Sequence, residues 1–307
     1  MRALVATGNP ERPLEARDVD EPTAGRGEAM LGVQAMSVNR GELRLLATRP
    51  EGWRPGQDVA GTIVQAAADG SGPTIGTRVV ALVDQAGWAE RVVAPISRIA
   101  AIPEGVSFPQ AASLPVAGLT ALRALRLGGM LLGRSVLVTG ASGGVGQFAV
   151  QLAARQGARV TAISRNPERA RALLASGEVR IVADIAAAEG PFDLILESVG
   201  GDSLTQALRL VGRDGTVAVF GNSANAEGRV SFGGFAGHAH ATLYAFYVYE
   251  SGEPPTFGED LGLLAREIGS GKLTPQIGLE MSWRDQRAAL EALRERRFEG
   301  KAVLTID

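Results

Sequence analysis

The chain of 307 residues has no cysteine, which removes disulfides, thiolate metal sites and thiol nucleophiles together. Histidine is almost missing too: only His238 and His240 occur, one residue apart in a Gly/Ala-rich stretch. A β-conformation there would aim both rings the same way. No further ligand accompanies them, so a polar loop or pocket lining is expected and no metal-binding residue is assigned. Lysine is reduced to Lys272 and Lys301 against many arginines, a bias read as compositional. The net charge is only -2 and the basic residues are interspersed with acidic ones. No patch therefore favours nucleic acid or an anionic membrane. No apolar run approaches the roughly 20 residues that span a bilayer, and Met1–Gly8 lacks the apolar core of a signal peptide. A cytoplasmic location is expected.

What is present is a hydrophobic content of 45% with 40 glycines, the composition of an α/β protein long enough for two domains. The most informative stretch runs from Ser135 to Val150. An apolar β-type run, Ser135-Val136-Leu137-Val138, breaks into Thr139-Gly140-Ala141-Ser142-Gly143-Gly144-Val145-Gly146 and resumes with helical spacing. That pattern is a strand, a tight turn and a helix N-terminus, whose unpaired N–H groups and positive dipole end suit a pyrophosphate. The G-x-G-x-x-G fingerprint falls on Ala141, Gly143 and Gly146, with alanine in first place. A second strand-like run, Ala158–Ile163, completes the β-α-β unit that the motif requires.

From residue 1 to 118, short β-type runs such as Glu28–Ala35 and Gly61–Ala66 are separated by Gly, Pro and Asp, the punctuation of a compact, partly barrel-like β domain. From 119 to 252, strands alternate with helices: helix Gly144–Arg155, strand 158–163, helix 167–175, strand 179–183, strand Phe192–Val199, helix 202–211 and strand Thr216–Phe220. This is the order of a doubly wound parallel sheet. The tail, 253–307, reads as a helix near 258–269, a strand-like segment 275–279, a helix 284–296 and a closing strand Ala302–Ile306. With no core of its own, it is expected to pack on the N-terminal β domain.

These features together resemble the medium-chain dehydrogenase/reductase superfamily, and within it the zinc-free, quinone oxidoreductase-like (zeta-crystallin-like) branch. The marking segments are Ser37–Leu43, Pro55–Val64, Gly87–Val93, Ala117–Leu122 and the loop Ala141–Gly146, which carries that branch's alanine variant. The resemblance implies a GroES-like catalytic domain from 1–118 and 253–307, with a Rossmann domain inserted at 119–252 and the active site in the cleft between them. Zinc-dependent relatives hold cysteine and histidine ligands where this chain has Asn39 and Gln57, and the four-cysteine lobe is missing. Lewis-acid catalysis by zinc is therefore not expected.

The loop residues Ser142, Gly143, Gly144, Val145 and Gly146 are the first cofactor candidates. At the end of the second strand, where an acidic residue would select NADH, stand Ser164 and Arg165, with Arg169 a turn later. Guanidinium pairs with a 2′-phosphate at two points, so NADPH is the expected cofactor; the alternative is arginines solvated on a helix start. The resemblance adds Thr120, Ser198, Val199, Phe220, Gly221 and Asn222 as cofactor contacts, with an ordinary turn or cap as the alternative for Ser198 and Asn222. It also places the aromatic run Thr242–Tyr249 near the nicotinamide and at a homodimer seam. Alternation there pairs Tyr247 with Tyr249 on one face and Tyr244 with Phe246 on the other. Phe246 is assigned to the cofactor and Tyr247 to the pocket, the alternative being aromatic packing alone. Where many enoyl-reducing relatives carry a tyrosine, this chain has Arg40, Glu42 and Arg44; Arg44 is read as an exposed structural arginine, the alternative being an oxyanion or acidic-substrate contact, and Asn39 is expected to orient the substrate or the nicotinamide ribose.

The expected function is an NADPH-dependent, zinc-independent reductase that delivers hydride to a quinone or to the C=C of an α,β-unsaturated carbonyl. The alternatives are a carbonyl or alcohol oxidoreductase and an NADPH-binding sensor with little catalysis.

Overall fold

The computed structural model describes residues 1–234, 236–251 and 256–306. The chain divides by its internal packing into two compact units, Met1–Leu119 with Gly252–Asp307, and Thr120–Ser251. The boundary expected at 252/253 lies outside the described residues.

In the first unit, β1 (Arg2–Ala6) and β2 (Leu14–Asp18) form an antiparallel ladder. The main sheet is built from β3 (Glu28–Val38), β4 (Asp58–Gln65), β5 (Arg78–Leu82), β6 (Arg91–Pro95) and β7 (Ile99–Ala101). Strand β3 pairs antiparallel with both β4 and β6, so most of its side chains are buried. Leu31, Val33 and Met36 from β3 meet Val59, Ile63 and Trp88 in the core, each contributing about 1.5–3 kcal/mol by burial. Helix α1 (Arg40–Thr48) starts where Asn39 is still extended and its N–H donates to Glu42 Oε2 at 2.8 Å. Helix α2 (Phe108–Ala112) opens on a reciprocal Ser107–Gln110 capping box, and the division between the units falls within α3 (Pro115–Arg126).

The second unit holds β8 (Ser135–Val138), α4 (Gly146–Arg155), β9 (Arg159–Ile163), β10 (Val179–Val182), β11 (Phe192–Glu197), α5 (Gly201–Leu210), β12 (Val211–Val219) and β13 (Thr242–Ala245). All pairings in this sheet are parallel, in the order β10-β9-β8-β11-β12-β13. That is the doubly wound Rossmann order. The winding reverses between β8 and β11, and it is at the carboxyl ends of these strands that such sheets hold their ligands. The tail supplies α6 (Phe257–Gly269), β14 (Ile277–Ser282), α7 (Gln286–Arg294) and β15 (Lys301–Thr305). Strand β15 pairs antiparallel with β3, Val303 opposite Ser37, and parallel with β14. Among the described residues, no helix is long and apolar enough to cross a membrane.

Several elements differ from the sequence reading. Residues Pro167–Ser176 form a 3₁₀ helix and not an α-helix. Its buried residues Ala170 and Leu173 are three apart, the spacing that stacks on one face at three residues per turn. Strand β11 stops at Glu197 and leaves Ser198 and Val199 in a turn. The run Thr242–Tyr249 is a strand only to Ala245, because its single partner β12 ends at Val219, whose carbonyl accepts the Phe246 N–H. Beyond that bond the ladder has no partner and the chain enters a 3₁₀ turn, Val248–Glu250. The expected pairing of Tyr244 with Phe246 on one face therefore fails, Tyr244 being exposed and Phe246 buried, whereas Tyr247 and Tyr249 do lie together. His238 and His240 do not lie in a strand either; His240 sits at φ 63° with Nδ1 at 2.9 Å from Asp214 Oδ1.

Candidate functional site

The glycine turn after β8 is built on three glycines spaced by three. Gly140, not Ala141, makes the reversal, at φ 60°, a left-handed conformation that side chains disfavour. Its carbonyl accepts the Gly143 N–H at 2.9 Å. A Cβ on Gly146 would come within 2.3 Å of the Gly140 oxygen and 2.7 Å of the Ala141 Cα. Glycine at 146 is thus what lets α4 start directly against the turn. Ser142, Gly143, Gly144 and Val145 are half-buried, and α4 is seated on the turn itself, the Gln147 N–H donating to the Gly143 carbonyl at 3.1 Å and the Ala149 N–H to that of Val145 at 3.0 Å. A cradle of backbone donors at a helix start fits an anionic diphosphate.

The neighbouring strand ends converge on this turn. Ser164, buried after β9, donates from Oγ to Ser142 Oγ at 3.3 Å. Arg165 and Arg169 beyond it are exposed. After β11, Ser198 N–H donates to Thr139 Oγ1 at 2.9 Å and Ser198 Oγ donates to the Thr139 carbonyl at 3.2 Å. Gly221 packs on Ser198, and Asn222 lies against Gly200, leaving no room for a Cβ there. Phe220 is tied by its N–H to the Glu197 carbonyl at 3.0 Å. The structure thus gathers Ser142 to Gly146, Ser164, Ser198, Val199 and Phe220 to Asn222 at one edge of one sheet. Phe246 is buried beside Val219, Thr120 is buried on α3, and Tyr247 is exposed, its ring centroid 5.1 Å from that of Tyr249.

Two residues of this edge, Glu197 and Thr139, are not among the site residues assigned from the sequence. Glu197 is fully buried, yet its carboxylate accepts from Val199 N–H and Gly200 N–H at 3.0 Å, Ser203 Oγ at 2.8 Å and Thr139 Oγ1 at 3.3 Å. A buried charge is tolerable when so fully hydrogen-bonded, and here it shapes the turn carrying Ser198 and Val199. An acidic residue closing an apolar strand was the available signal. Thr139 joins the β8 end to the β11 end through the same bonds.

The other candidate, Asn39, belongs to the first unit and is half-buried. Its side chain enters a buried polar group that the sequence reading missed entirely. Asn39 Nδ2 donates to Asp58 Oδ2 at 2.8 Å, and Asn39 Oδ1 accepts from Lys301 Nζ at 2.5 Å. Asp58 Oδ2 also accepts from Ser37 Oγ at 2.6 Å and Lys301 Nζ at 3.1 Å, while Oδ1 accepts the Val116 N–H at 2.8 Å. Glu42 is fully buried, and its Oε1 makes no well-formed hydrogen bond. Burial drives its carboxyl up from an ordinary 4.5 to about 8; the Asp58 charge adds to this, and the Asn39 N–H and Lys301 oppose it. Among the described residues, no cluster of His, Cys, Asp or Glu is arranged to hold a metal ion.

Fold and glycine turn together define a chain with one Rossmann-type unit and one GroES-like β unit. A family profile described as zinc-binding dehydrogenase matches residues 144–266. The quinone oxidoreductase of Thermus thermophilus, solved also with NADPH, superposes over 100% of both chains with a TM-score of 0.83 and 30% identity. Erythronolide synthase EryA2 of Saccharopolyspora erythraea is 31% identical over 306 residues, covering 94% of this chain but only 8% of that protein. The chloroplast envelope quinone oxidoreductase homolog of Arabidopsis thaliana is 38% identical over 178 residues, 52% of this chain and 54% of its own. The chain belongs to the zinc-free, quinone oxidoreductase-like branch of the medium-chain dehydrogenase/reductase superfamily.

Proposed function

We propose that this protein is an NADPH-dependent, zinc-independent reductase that delivers hydride to a quinone or to the β-carbon of an α,β-unsaturated carbonyl. The observation that carries the reading is the backbone cradle at Gly140–Gly146, with Arg165 and Arg169 exposed beyond β9. The similarity to an NADPH-binding quinone oxidoreductase supports the cofactor. The similarity to polyketide synthase components of Streptomyces supports the unsaturated-carbonyl arm.

Bound NADPH supplies the hydride, and the protein supplies position. The glycine turn and the α4 N-terminus would hold the diphosphate, Arg165 and Arg169 would take the 2′-phosphate, and Ser198 to Gly200, shaped by Glu197, would border the rest of the cofactor. Hydride addition to an enone leaves an enolate, whose oxygen needs a hydrogen bond and whose carbon needs a proton. We assign the hydrogen bond to Asn39 and the proton to water.

Combining Arg165→Ala with Arg169→Ala is expected to abolish a preference for NADPH over NADH of at least about tenfold, or about 1.4 kcal/mol. Calorimetric titration of both cofactors into parent and variant is the measurement. An unchanged ratio would remove both arginines from the site. Activity is also expected to survive dialysis against a chelator, because no thiolate or histidine ligand set exists in the sequence. Zinc that leaves in step with activity, followed by metal analysis, would reverse the subclass assignment.

A further inference from the structure

The charges around Asn39 are arranged to read its amide. A carboxamide has one accepting end and one donating end of nearly equal shape, and only its partners decide which way it faces. Here Oδ1 meets an ammonium, Lys301 Nζ, and Nδ2 meets a carboxylate, Asp58 Oδ2. Turning the amide over would set N–H against ammonium and carbonyl oxygen against carboxylate. Both partners are immobile: Lys301 and Asp58 have side-chain exposures of 2% and 0%, and Asp58 is further held by Ser37 Oγ and the Val116 N–H. The backbone of Asn39 is held by Glu42.

We propose that Lys301 and Asp58 are positioning residues that lock the Asn39 amide in one orientation, so that Asn39 meets the substrate only as a hydrogen-bond donor, through its second amide proton. The consequence is specificity. A donor-only group suits a quinone oxygen or an enone carbonyl, which accept, and the enolate or hydroquinone anion, which accepts more strongly. It offers no acceptor for the hydroxyl proton that an alcohol must give up on oxidation. This assignment rests on the reductase reading, and the ammonium needed for it comes from the last strand of the chain.

The direct test is the exchange of the Asn39 side-chain amide protons in ¹⁵N-labelled protein, assigned by their disappearance in Asn39→Ala. In the unaltered protein one proton, given to Asp58, should exchange at least about tenfold more slowly than the other. Lys301→Met combined with Asp58→Asn removes both charges without leaving one unpaired in the interior, and should bring the two rates within about twofold. Equal rates in the unaltered protein would overturn the lock without any variant. In parallel, kcat/KM with NADPH and 1,4-naphthoquinone should fall about tenfold in the charge-free variant, but less than about twofold when Asn39 is already alanine. Losses that multiply across the two backgrounds would show Lys301 and Asp58 acting independently of Asn39 and would overturn the proposal. An unaltered protein that turns over no quinone or enone would defeat the reductase reading, while amide exchange would still decide whether the lock exists.

Discussion

Replacing Gly143 by valine is expected to weaken NADPH binding by well over tenfold, more than about 1.4 kcal/mol, with the fold retained. The residue is half-buried in the turn, and a Cβ added there would already lie 3.1 Å from the Gly140 carbonyl oxygen. On the proposed placement of the cofactor, a branched side chain here would intrude on the diphosphate. Gly146 would be a poorer choice for this test: its Cβ would collide with main-chain atoms at 2.3 and 2.7 Å, so that a loss of binding could reflect a displaced helix α4. Calorimetric titration with NADPH, alongside circular dichroism, separates the two effects. A folded variant that binds like the parent would show that the dinucleotide does not cross this turn.

The second large effect concerns Glu42 and pH. Its carboxyl rises from 4.5 to about 8 in the folded chain, chiefly through burial. The folded state therefore holds a proton that the unfolded state has released across this interval. Well below pH 4.5 both states are protonated and Glu42 adds no cost; between pH 4.5 and 8 only the unfolded state ionises, and the loss of stability grows to roughly 5 kcal/mol and is level above pH 8. Glu42→Gln keeps the shape and an acceptor for the Asn39 N–H but cannot ionise. Its melting temperature should come closest to the parent's below pH 4.5 and exceed it clearly near pH 9. Thermal melts across this range that stay parallel for the two proteins would mean that Glu42 does not hold its proton.

Much of the second unit was legible because its strands are short, fully apolar runs, Val136-Leu137-Val138 and Leu194-Ile195-Leu196 among them, set between segments of helical period. Buried parallel strands advertise themselves in this way. The limits of β11 and β13 were not legible, since they depend on partners: Glu197 captures the Val199 and Gly200 N–H groups, and β12 ends opposite Ala245. Helix α1 was missed because Asn39 and Glu42 were weighed for chemistry, whereas their spacing of three is also a helix start. Asn39 itself stood out; its partner Lys301 did not, because 262 residues separate them. One signal was available. A chain that uses arginine almost everywhere places one of its two lysines, a compact point charge, at the head of an apolar strand.

The reductase reading stands or falls on a single-turnover reaction. The protein is mixed with NADPH deuterated at the transferring carbon and then with an enone or a quinone, and the absorbance of the reduced nicotinamide is followed in a stopped-flow cell. The expected result is enzyme-dependent loss of that absorbance, with deuterium at the β-carbon of the enone product. NADPH that binds tightly yet survives every quinone and enone offered would contradict it, and would make the chain a nucleotide-binding protein on a reductase fold.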